Sequence, residues 1–390
     1  MGKWEMVRLG DVCEVVSGTT PSTRNPELWD GGIKWVTPAE ISENSYFLYD
    51  TERHISEKAG LKPMPTGTVL LSSRAPIGKV AIAGEPMCCN QGFKNLICSN
   101  KINNRYLYRY LKNITAYLNN LGRGATFKEI SKSIVESVHI PLPPLPIQQK
   151  IANVLDCVNA LIEKRKAQIV KLDLLVKSQF IEMFGDPVTN PMGWEIITLS
   201  KITSKIGSGA TPRGGQESYV DEGISLVRSM NVHNGYFKYE DLAHITDEQA
   251  KQLDYVTLLD NDVLLNITGA SVARSCIVPN GILPARVNQH VSIIRCDSSR
   301  LSYIYANAML ISDSYQQFLL SIGESGGATR QAITKQQIEG FIVILPPLDI
   351  QTRFADFVRA ADKSKFEIQR SLDKLELLRK SLMQQYFCQK

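Results

Sequence analysis

The chain has 390 residues, 43% hydrophobic and 21% charged, with a formal net charge of +5 at pH 7. This composition predicts a globular protein of about two domains, each large enough for a core, and the mildly basic charge permits a nucleic-acid partner without demonstrating one. The first residues lack the apolar segment of a signal peptide, and no run of about 18 apolar residues occurs, so we expect a cytoplasmic protein without a membrane-spanning segment.

The sequence contains an internal repeat of two copies. Residues 124–155 match residues 327–358 at a constant offset of 203, which holds through the heptad-patterned segments that follow. Upstream the offset shrinks: Trp4 matches Trp194 (190), Gly18 matches Gly209 (191) and Asn90 matches Asn288 (198). The front of each unit therefore tolerates insertions and the back does not, which is typical of a variable globular head followed by a helix of fixed length.

Each head alternates short β-rich runs with turns and carries one helical pattern. In the first head we predict strands near 33–37, 68–71, 78–83 and 93–98, and one helix capped by Asn103, with Leu107, Leu111 and Leu118 on its apolar face. In the second head we predict strands at 257–267 and 291–296 and the matching helix at 303–322. The pattern indicates two mixed α+β domains.

A proline run ends each head, at 141–146 and again around 346–347, and predicts a stiff extended connection before a long helix. Apolar residues then recur at alternating steps of four and three, the heptad pattern of a coiled-coil seam, interrupted by Arg165 in the first copy. A helix from about 148 to 184 would be roughly 55 Å long. The predicted spacer-helix seam comprises Ile151, Leu155, Val158, Ile162, Ile169, Leu172, Val176, Phe354, Val358, Ile368, Leu372, Leu375 and Leu382.

These elements predict an α+β fold in which two duplicated mixed α/β heads are joined and spaced by two long antiparallel helices. The predicted divisions are a first head at 1–146, a central spacer helix at 147–187, a second head at 188–349 and a C-terminal spacer helix at 350–390. An approximate two-fold axis between the copies would make the helices antiparallel and put the heads at opposite ends. The alternative is that each helix packs only on its own head as a long core helix.

No catalytic pattern is present in the sequence. The stretch around Gly78-Lys79 lacks the earlier glycine and the hydroxyl of a P-loop, and neither Pro-Pro pair is followed by the aromatic residue of an adenine-methylating motif. The five histidines and eight cysteines have no metal-ligand spacing, and we interpret the cysteines as buried apolar residues. The glycine-rich stretch 207–215 is interpreted as a turn, because its counterpart after Ser17 lacks most of those glycines. We therefore predict no catalytic and no metal-ligating residue.

Basic residues recur at matched places in the loops of both heads. Lysine and arginine in such loops suit contacts with DNA phosphates, although any single one is more often a solvated surface charge. The candidate phosphate contacts are Arg74, Lys79, Arg123, Lys128, Arg274, Arg330 and Lys335.

The order of motifs resembles one known family. A Trp-Glu start, a Gly-x-Thr-Pro turn, a Leu-Leu strand, an Asn-Gln pair, a Gly-Ala-Thr segment and the proline-to-helix junction occur twice, as they do in the DNA-specificity subunits of Type I restriction and modification systems. The resemblance implies that each head recognises half of a split, asymmetric DNA site. It also implies a non-catalytic subunit whose partners are double-stranded DNA, two adenine-N6 methyltransferase subunits and endonuclease/translocase subunits. S-adenosylmethionine, ATP and Mg²⁺ would be bound by those partners, and this chain would need no cofactor.

The heads differ far more than the helices, and this difference predicts where base recognition lies. A residue identical in both heads cannot by itself explain two different half-sites, so Asn90-Gln91 and Asn288-Gln289 are interpreted as structural or backbone-facing. Base readers are expected among the polar loop residues that differ. The candidates are Arg24, Asn25, Glu40, Asn44 and Lys94 in the first head, and Arg213, Gln216, Arg228, Asn231 and Asn234 in the second.

The function predicted from the sequence is therefore recognition of a bipartite DNA site that directs partner enzymes to methylate adenine and cleave. Two alternatives from other classes stay open. A coiled-coil scaffold that joins proteins without binding DNA would show no salt-dependent affinity for duplex. A self-contained methyltransferase would bind S-adenosylmethionine alone, and the missing Pro-Pro-aromatic motif argues against it.

Overall fold

The computed structural model describes residues 4–42, 45–74, 76–124, 128–324 and 332–387. The chain forms two compact units, one comprising Met1–Lys166 with Arg370–Lys390 and the other Ala167–Gln369. Each unit therefore contains one head together with part of both long helices. Among the described helices, none is both long and apolar enough to cross a membrane.

The first unit is a mixed α/β domain. Its strands are β1 (Met6–Arg8), β2 (Cys13–Ser17), β3 (Trp29–Val36), β4 (Phe47–Leu48), β5 (Arg53–Ile55), β6 (Val69–Leu71), β7 (Val80–Ala83), β8 (Met87–Cys89), β9 (Lys94–Cys98) and β10 (His139–Pro141). Its helices are α1 (Leu9–Val12), α2 (Asn104–Asn113), α3 (Thr115–Leu121) and α4 (Lys132–Ser137), and the long helix α5 (Leu145–Phe184) begins in it.

The second unit has the same class of fold. Its strands are β11 (Glu195–Thr198), β12 (Thr203–Ser208), β13 (Ile224–Val227), β14 (Val232–His233), β15 (Tyr236–Phe237), β16 (Ala243–Ile245), β17 (Val263–Asn266), β18 (Ser275–Ile277), β19 (Ala285–Val287), β20 (Val291–Cys296) and β21 (Ile342–Leu345). Its helices are α6 (Asp247–Gln252), α7 (Tyr303–Leu310), α8 (Asp313–Glu324) and α9 (Lys335–Glu339), and α10 (Leu348–Phe387) is the second long helix.

The strand order is the same in both heads. The first has β2–β9–β6–β7 in one sheet, with β4 added at its edge, and β5–β3–β8 in another; the second has β12–β20–β17–β18 and β16–β13–β19. In each of the smaller sheets one pairing is antiparallel and the other, β3 with β8 or β13 with β19, is parallel. A short antiparallel pair, β1 with β10 or β11 with β21, precedes each long helix. The duplication inferred from sequence is therefore a duplication of fold.

The junction between head and long helix is held by one buried glutamine in each unit. Gln148 Oε1 accepts from the Asn103 amide at 2.8 Å, and its Nε2 donates to the carbonyls of Lys101 (3.0 Å) and Pro143 (2.8 Å). Neither this side chain nor its counterpart, Gln351, is exposed to solvent.

Gln351 makes the same three bonds in the second unit. Its Oε1 accepts from the Ser302 amide at 2.8 Å, and its Nε2 donates to the carbonyls of Arg300 (3.1 Å) and Pro346 (2.8 Å). Because an insertion here would leave buried polar groups unpaired, this geometry explains why the repeat offset is constant from the head to the helix.

The two long helices pack antiparallel within the first unit. Ile151 and Leu155, near the start of α5, share a buried cluster with Phe387 at the end of α10. Farther along, Arg379 Nη1 donates to Asn159 Oδ1 at 3.4 Å. The beginning of one helix therefore lies beside the end of the other.

The second unit shows the complementary contacts. Phe180 and Phe184, at the end of α5, pack against Phe354 at the start of α10, with ring centroids 5.6 and 5.3 Å apart. Lys365 Nζ lies 2.9 Å from Asp173 Oδ1. The predicted antiparallel pairing is confirmed inside each unit, and both helices also pack on the head of that unit.

The predicted seam residues all lie in the less accessible part of the helices. The fully buried members are Ile151, Leu155, Val158, Ile162, Phe354 and Leu372. The half-buried members are Ile169, Leu172, Val176, Val358, Ile368, Leu375 and Leu382. The charged side chain that interrupts the first seam, Arg165, is half-buried as well.

Four local expectations were wrong. The cysteines are not all buried, because Cys157 of α5 is exposed. The helix predicted after Asn103 is divided at Ile114 into α2 and α3, and its counterpart is divided into α7 and α8. The strand expected over 257–267 is confined to β17, because a turn over residues 259–262, with Asn261 at a φ of 67°, comes directly before it. The proline run does not delay the helix: α5 begins at Leu145 with Pro146 in its first turn, where the missing N–H of proline has no helical partner to lose.

Candidate nucleic-acid interface

Each head brings its Gly-x-Thr-Pro turn against its Asn-Gln turn, and a glycine makes the approach possible. A Cβ on Gly18 would lie 1.8 Å from the Asn90 carbonyl oxygen, and one on Gly209 would lie 1.7 Å from the Val287 carbonyl oxygen. No side chain fits at either distance, so the glycine of this motif is required by the backbone contact. The two loops therefore form one polar surface in each head.

The asparagine of the Asn-Gln pair closes its own turn. Asn90 Oδ1 accepts from the Gly92 amide at 2.9 Å, and Asn288 Oδ1 accepts from the His290 amide at 3.0 Å. Side-chain capping two residues ahead is the usual way in which asparagine stabilises a turn. This geometry supports the structural interpretation of the two asparagines.

The glutamine of the same pair is exposed and is fixed by the threonine of the neighbouring turn. Gln91 Oε1 is hydrogen-bonded to the Thr20 hydroxyl, and Gln289 Oε1 is hydrogen-bonded to the Thr211 hydroxyl. With its side-chain carbonyl bonded to the threonine hydroxyl, each glutamine has its NH2 group as the hydrogen-bond donor of the Thr-Gln pair. Because the Thr-Gln bond is present in both heads, although the Gln289 nitrogen also lies 3.2 Å from His290 Nε2, the pair suits a contact that does not depend on DNA sequence.

Beside this pair, the first head carries a cluster of three charged residues around Gly92. Lys94 is only 7% exposed, and its Nζ lies 3.2 Å from Glu129 Oε1. Arg74 Nη1 lies 3.9 Å from Glu129 Oε2, outside hydrogen-bonding distance, and its side chain is 37% exposed. A Cβ on Gly92 would lie 3.0 Å from Asn90 Oδ1, 3.2 Å from Pro38 Cγ and 3.7 Å from Arg74 Cγ, so Arg74 is one of three side chains beside the glycine. We call Arg74, Gly92, Lys94 and Glu129 the first variable cluster.

The second head has the same backbone with different side chains at the matching places. The Ile267 amide donates to the His290 carbonyl at 3.0 Å, as the Ser73 amide donates to the Gly92 carbonyl at 2.7 Å. Thr268 pairs with Ala332 as Arg74 pairs with Glu129. His290 is half-buried, and its Nδ1 lies 2.6 Å from the Thr268 hydroxyl.

The Nε2 atom of His290 lies 3.2 Å from the Gln289 amide nitrogen, so the imidazole is held on both sides. The fourth matching residue is Ser292, which pairs with Leu265 in the central part of the sheet and is 1% exposed. Thr268, His290, Ser292 and Ala332 form the second variable cluster. The first cluster carries three charges, whereas the second carries only the ionisable imidazole.

The predicted base readers fall into two groups. Arg24, Asn25, Arg213, Gln216 and Asn234 are exposed. Asn25 accepts from the Glu27 amide at 3.2 Å, and Asn234 is held by Gln316 at 3.0 Å and by the Ser275 amide at 3.1 Å. Asn44 lies outside the described residues.

The remaining candidates have internal partners. Glu40 Oε1 accepts from the Thr37 amide at 2.7 Å, and Asn231, which is fully buried, accepts from the Arg228 amide at 3.0 Å. The Arg228 guanidinium itself is bonded to the Asp241 carbonyl. Lys94 is buried against Glu129, as described above. The burial of Lys94 and Asn231 favours a structural role for both.

The predicted phosphate contacts are also unequal. Arg123, Lys128 and Lys335 are exposed, whereas Arg74, Lys79 and Arg274 are half-buried, and Arg330 lies outside the described residues. Lys79 Nζ donates to the Pro38 carbonyl at 2.8 Å. The position matching Lys79 is Arg274, since the Ser72 amide donates to the Lys79 carbonyl and the Asn266 amide to the Arg274 carbonyl.

Two arginine-aromatic contacts were not anticipated from the sequence. The exposed Arg53 lies over the Trp29 ring, 3.8 Å from its centroid, and Trp29 packs at right angles to Trp35. In the second head Arg228 lies 5.4 Å from the Tyr219 centroid. His290 was also passed over, although extending the Asn-Gln match by one residue would have revealed glycine opposite histidine.

The described residues hold no group of three or more His, Cys, Asp or Glu side chains that could bind a metal ion. Burial raises the pKa of the thiols of Cys89, Cys276 and Cys296 to about 12. These three thiols are therefore protonated at neutral pH and are poor nucleophiles.

Comparison with known proteins identifies what this architecture resembles. A family model described as the Type I restriction modification DNA specificity domain matches residues 1–171 and again residues 191–377. The MjaIX Type I restriction enzyme specificity subunit of Methanocaldococcus jannaschii is 32% identical, over 97% of this chain and 91% of its own length.

Solved structures show the same fold. The S subunit of a Type I restriction-modification system from M. genitalium matches with a TM-score of 0.63 at 14% identity, covering 98% of this chain and 96% of that one. A chain from a structure concerned with complex assembly and conformational transition of the type I R-M system matches with a TM-score of 0.62 at 19% identity, covering 99% and 98%.

Proposed function

This chain belongs to the family of Type I restriction-modification DNA specificity subunits, and from that premise we propose that it recognises a bipartite, asymmetric DNA site, with each head reading one half. In this proposal the chain carries out no chemistry. It directs partner methyltransferase and endonuclease subunits to the site.

The observation that carries the proposal is the contrast between a shared scaffold and divergent side chains. Both heads have the same strand order, the same glycine-mediated loop contact and the same Thr-Gln pair. At the surface beside that pair, however, Arg74 and Gly92 of one head are replaced by Thr268 and His290 of the other. Two heads that share a backbone fold but differ in their surface side chains suit a DNA site whose two halves differ in sequence.

Within each head, the shared and the divergent groups have different tasks. The Thr-Gln pair and the exposed cations Arg123, Lys128 and Lys335 contact phosphates and set the orientation of the head on the duplex. The divergent polar loop residues, including the exposed Arg24 and Arg213, contact base edges in the major groove, where each base pair presents a distinct pattern of donors and acceptors.

The two long helices set the number of base pairs between the half-sites. Each is a single helix of 40 residues, and in both units the start of one lies beside the end of the other. The buried glutamines at the head-to-helix junctions leave little freedom for a head to rotate against its helix. In this proposal, the length of the paired helices determines the gap on DNA.

The proposed partners are double-stranded DNA, two adenine-N6 methyltransferase subunits and endonuclease/translocase subunits. S-adenosylmethionine, ATP and Mg²⁺ belong to the partners in this scheme. The similar chain from a structure of type I R-M complex assembly supports a multi-subunit context for the fold.

Selection from a randomised duplex library by the purified full-length chain tests the proposal. The expected result is enrichment of a two-part motif with a constant gap, and a binding constant whose logarithm falls linearly with the logarithm of salt concentration. Sequencing of adenines methylated by the chain together with its partner methyltransferase should give the same motif. A chain that enriches no sequence and shows no salt-dependent affinity for duplex is a protein scaffold, and that result refutes the proposal. Binding of S-adenosylmethionine by the chain alone would instead indicate a methyltransferase.

A further inference from the structure

The variable clusters point to specific residues, and this inference rests on the function proposed above. We propose that Arg74 in the first head and His290 in the second are equivalent specificity-determining residues, each contacting a base pair of its own half-site. Sequence comparison alone grouped Arg74 with the phosphate contacts and did not consider His290.

The equivalence follows from where the two side chains lie. Arg74 is on the segment after β6 and His290 is on the turn before β20, so the two do not match in the alignment. Both side chains do lie beside the same turn. In the first head the turn position is Gly92, and Arg74 Cγ lies 3.7 Å from where a Cβ would be, farther away than Asn90 Oδ1 at 3.0 Å and Pro38 Cγ at 3.2 Å. In the second head the turn position is His290, and the segment position is the shorter Thr268. Each head therefore places one side chain with hydrogen-bonding nitrogens beside this turn, from the neighbouring segment in the first head and from the turn itself in the second.

Arg74 is left available for a contact with DNA, whereas His290 is oriented by bonds at both ring nitrogens and would exchange its Gln289 contact for one to a base. Glu129 is already neutralised by the buried Lys94 at 3.2 Å, and its other oxygen lies 3.9 Å from Arg74, too far for a hydrogen bond. The imidazole of His290 is oriented by Thr268 at Nδ1 and lies beside the Gln289 amide at Nε2. Orientation by a neighbour lowers the entropy lost when a side chain contacts DNA.

The Thr-Gln pair that both heads share lies next to the turn positions Gly92 and His290. In the first head Gln91 precedes Gly92, and in the second Gln289 precedes His290. A constant, exposed amide next to a variable side chain is the arrangement expected when one group contacts the DNA backbone and its neighbour contacts a base.

The chemistry of the two residues predicts different preferences. An arginine in the major groove bonds best to the O6 and N7 atoms of guanine, so we expect a guanine in the half-site read by the first head. Histidine offers a single bond per ring nitrogen and should discriminate less sharply. The two half-sites should therefore differ in how strictly this one position is specified.

The test uses the randomised duplex selection with full-length variants. Arg74→Ala should lower discrimination about tenfold at one base pair of one half-site and leave the other half unchanged. His290→Gly, which installs the residue found in the first head, should do the same in the other half-site. The double change Thr268→Arg with His290→Gly should introduce a guanine preference there. Lys62→Ala and His139→Ala replace exposed residues of the same kinds outside the clusters and serve as matched controls.

Two results would overturn the inference. One is an unchanged motif for both variants; the other is a uniform loss of affinity for all sequences, which would mean that both side chains contact phosphate. If His290→Gly lowers the melting temperature too far for the selection, His290→Gln keeps a polar side chain at the turn and is expected to alter the preference at the same base pair. An unchanged motif for His290→Gln counts against the inference. A wild-type chain that selects no motif would refute the proposed function itself, and this result is distinct from a wild-type motif that the variants preserve.

Discussion

Replacement of the junction glutamine is the sharpest test of how a head is fixed to its helix. Gln148→Met keeps the approximate volume of the side chain but removes its three hydrogen bonds to Asn103, Lys101 and Pro143. The site is fully buried, so water cannot replace them. At about 1 kcal/mol for each bond, the expected loss of stability is about 3 kcal/mol.

Calorimetry and hydrogen exchange measure this loss in two independent ways. A loss of about 3 kcal/mol should lower the melting temperature of a unit of this size by about 6–12 °C. Exchange of the Asn103 amide, which donates to Gln148, should accelerate about a hundredfold. Gln351→Met should do the same for the Ser302 amide in the other unit.

The matched control is Gln385→Met, at an exposed position of α10. A change at an exposed site of this kind is expected to alter stability by less than about 0.5 kcal/mol. If Gln148→Met melts within about 2 °C of this control and Asn103 exchanges at its normal rate, the junction is not held by the glutamine and the explanation of the constant repeat offset fails.

Three further predictions concern packing, thiols and pH. Phe354→Ala removes a fully buried ring and should cost about 3–5 kcal/mol, measured as a lower urea midpoint. Alkylation at pH 8 followed by peptide mass spectrometry should modify the exposed Cys157 and spare Cys89, whose thiol pKa is raised to about 12 by burial. Burial of Asp186 opposes its ionisation, but hydrogen bonds from Thr189 and neighbouring groups lower its pKa overall. The ionised Asp186 carboxylate therefore stabilises the folded protein above the unfolded-state pKa of 3.8, and this stabilisation is lost as pH falls through the folded-state pKa. Asp186→Asn should lower the stability of the protein at pH 7 and flatten its acid denaturation curve.

The architecture could be predicted from sequence because it depends on periodic and repeated features. The heptad steps after Ile151 and Phe354 identified both long helices, and the antiparallel pairing followed from the duplication. Local propensity was less informative where a helix is interrupted. The break at Ile114 leaves a continuous apolar face in the sequence, since Leu111 and Leu118 are buried on both sides of it. Only packing against the sheet distinguishes two short helices from one.

The candidate interface was predictable in outline but not in its individual side chains. The Gly-x-Thr-Pro and Asn-Gln motifs were recognised, and they do meet. Lys94 was expected to be available to DNA, yet it is buried against Glu129, a residue 35 positions away in the chain. Glu40 and Asn231 likewise hydrogen-bond backbone amides three residues before them. A polar residue in a loop can bind DNA or stabilise the loop, and this choice depends on tertiary partners that a single sequence does not reveal.

The central claim is that the paired long helices determine the gap between the half-sites. Its direct test duplicates residues 160–166 in α5 and residues 363–369 in α10, which adds one heptad to each helix and preserves the apolar seam. Seven residues lengthen a helix by about 10.5 Å, equivalent to about three base pairs of B-DNA.

Selection from the randomised duplex library then measures the gap directly. We expect both half-sites to be unchanged and the gap between them to increase by about three base pairs. Duplication in α5 alone, which mismatches the pair, should not give the same well-defined gap. An unchanged gap in the doubly lengthened chain, with both half-sites still recognised, would contradict the account.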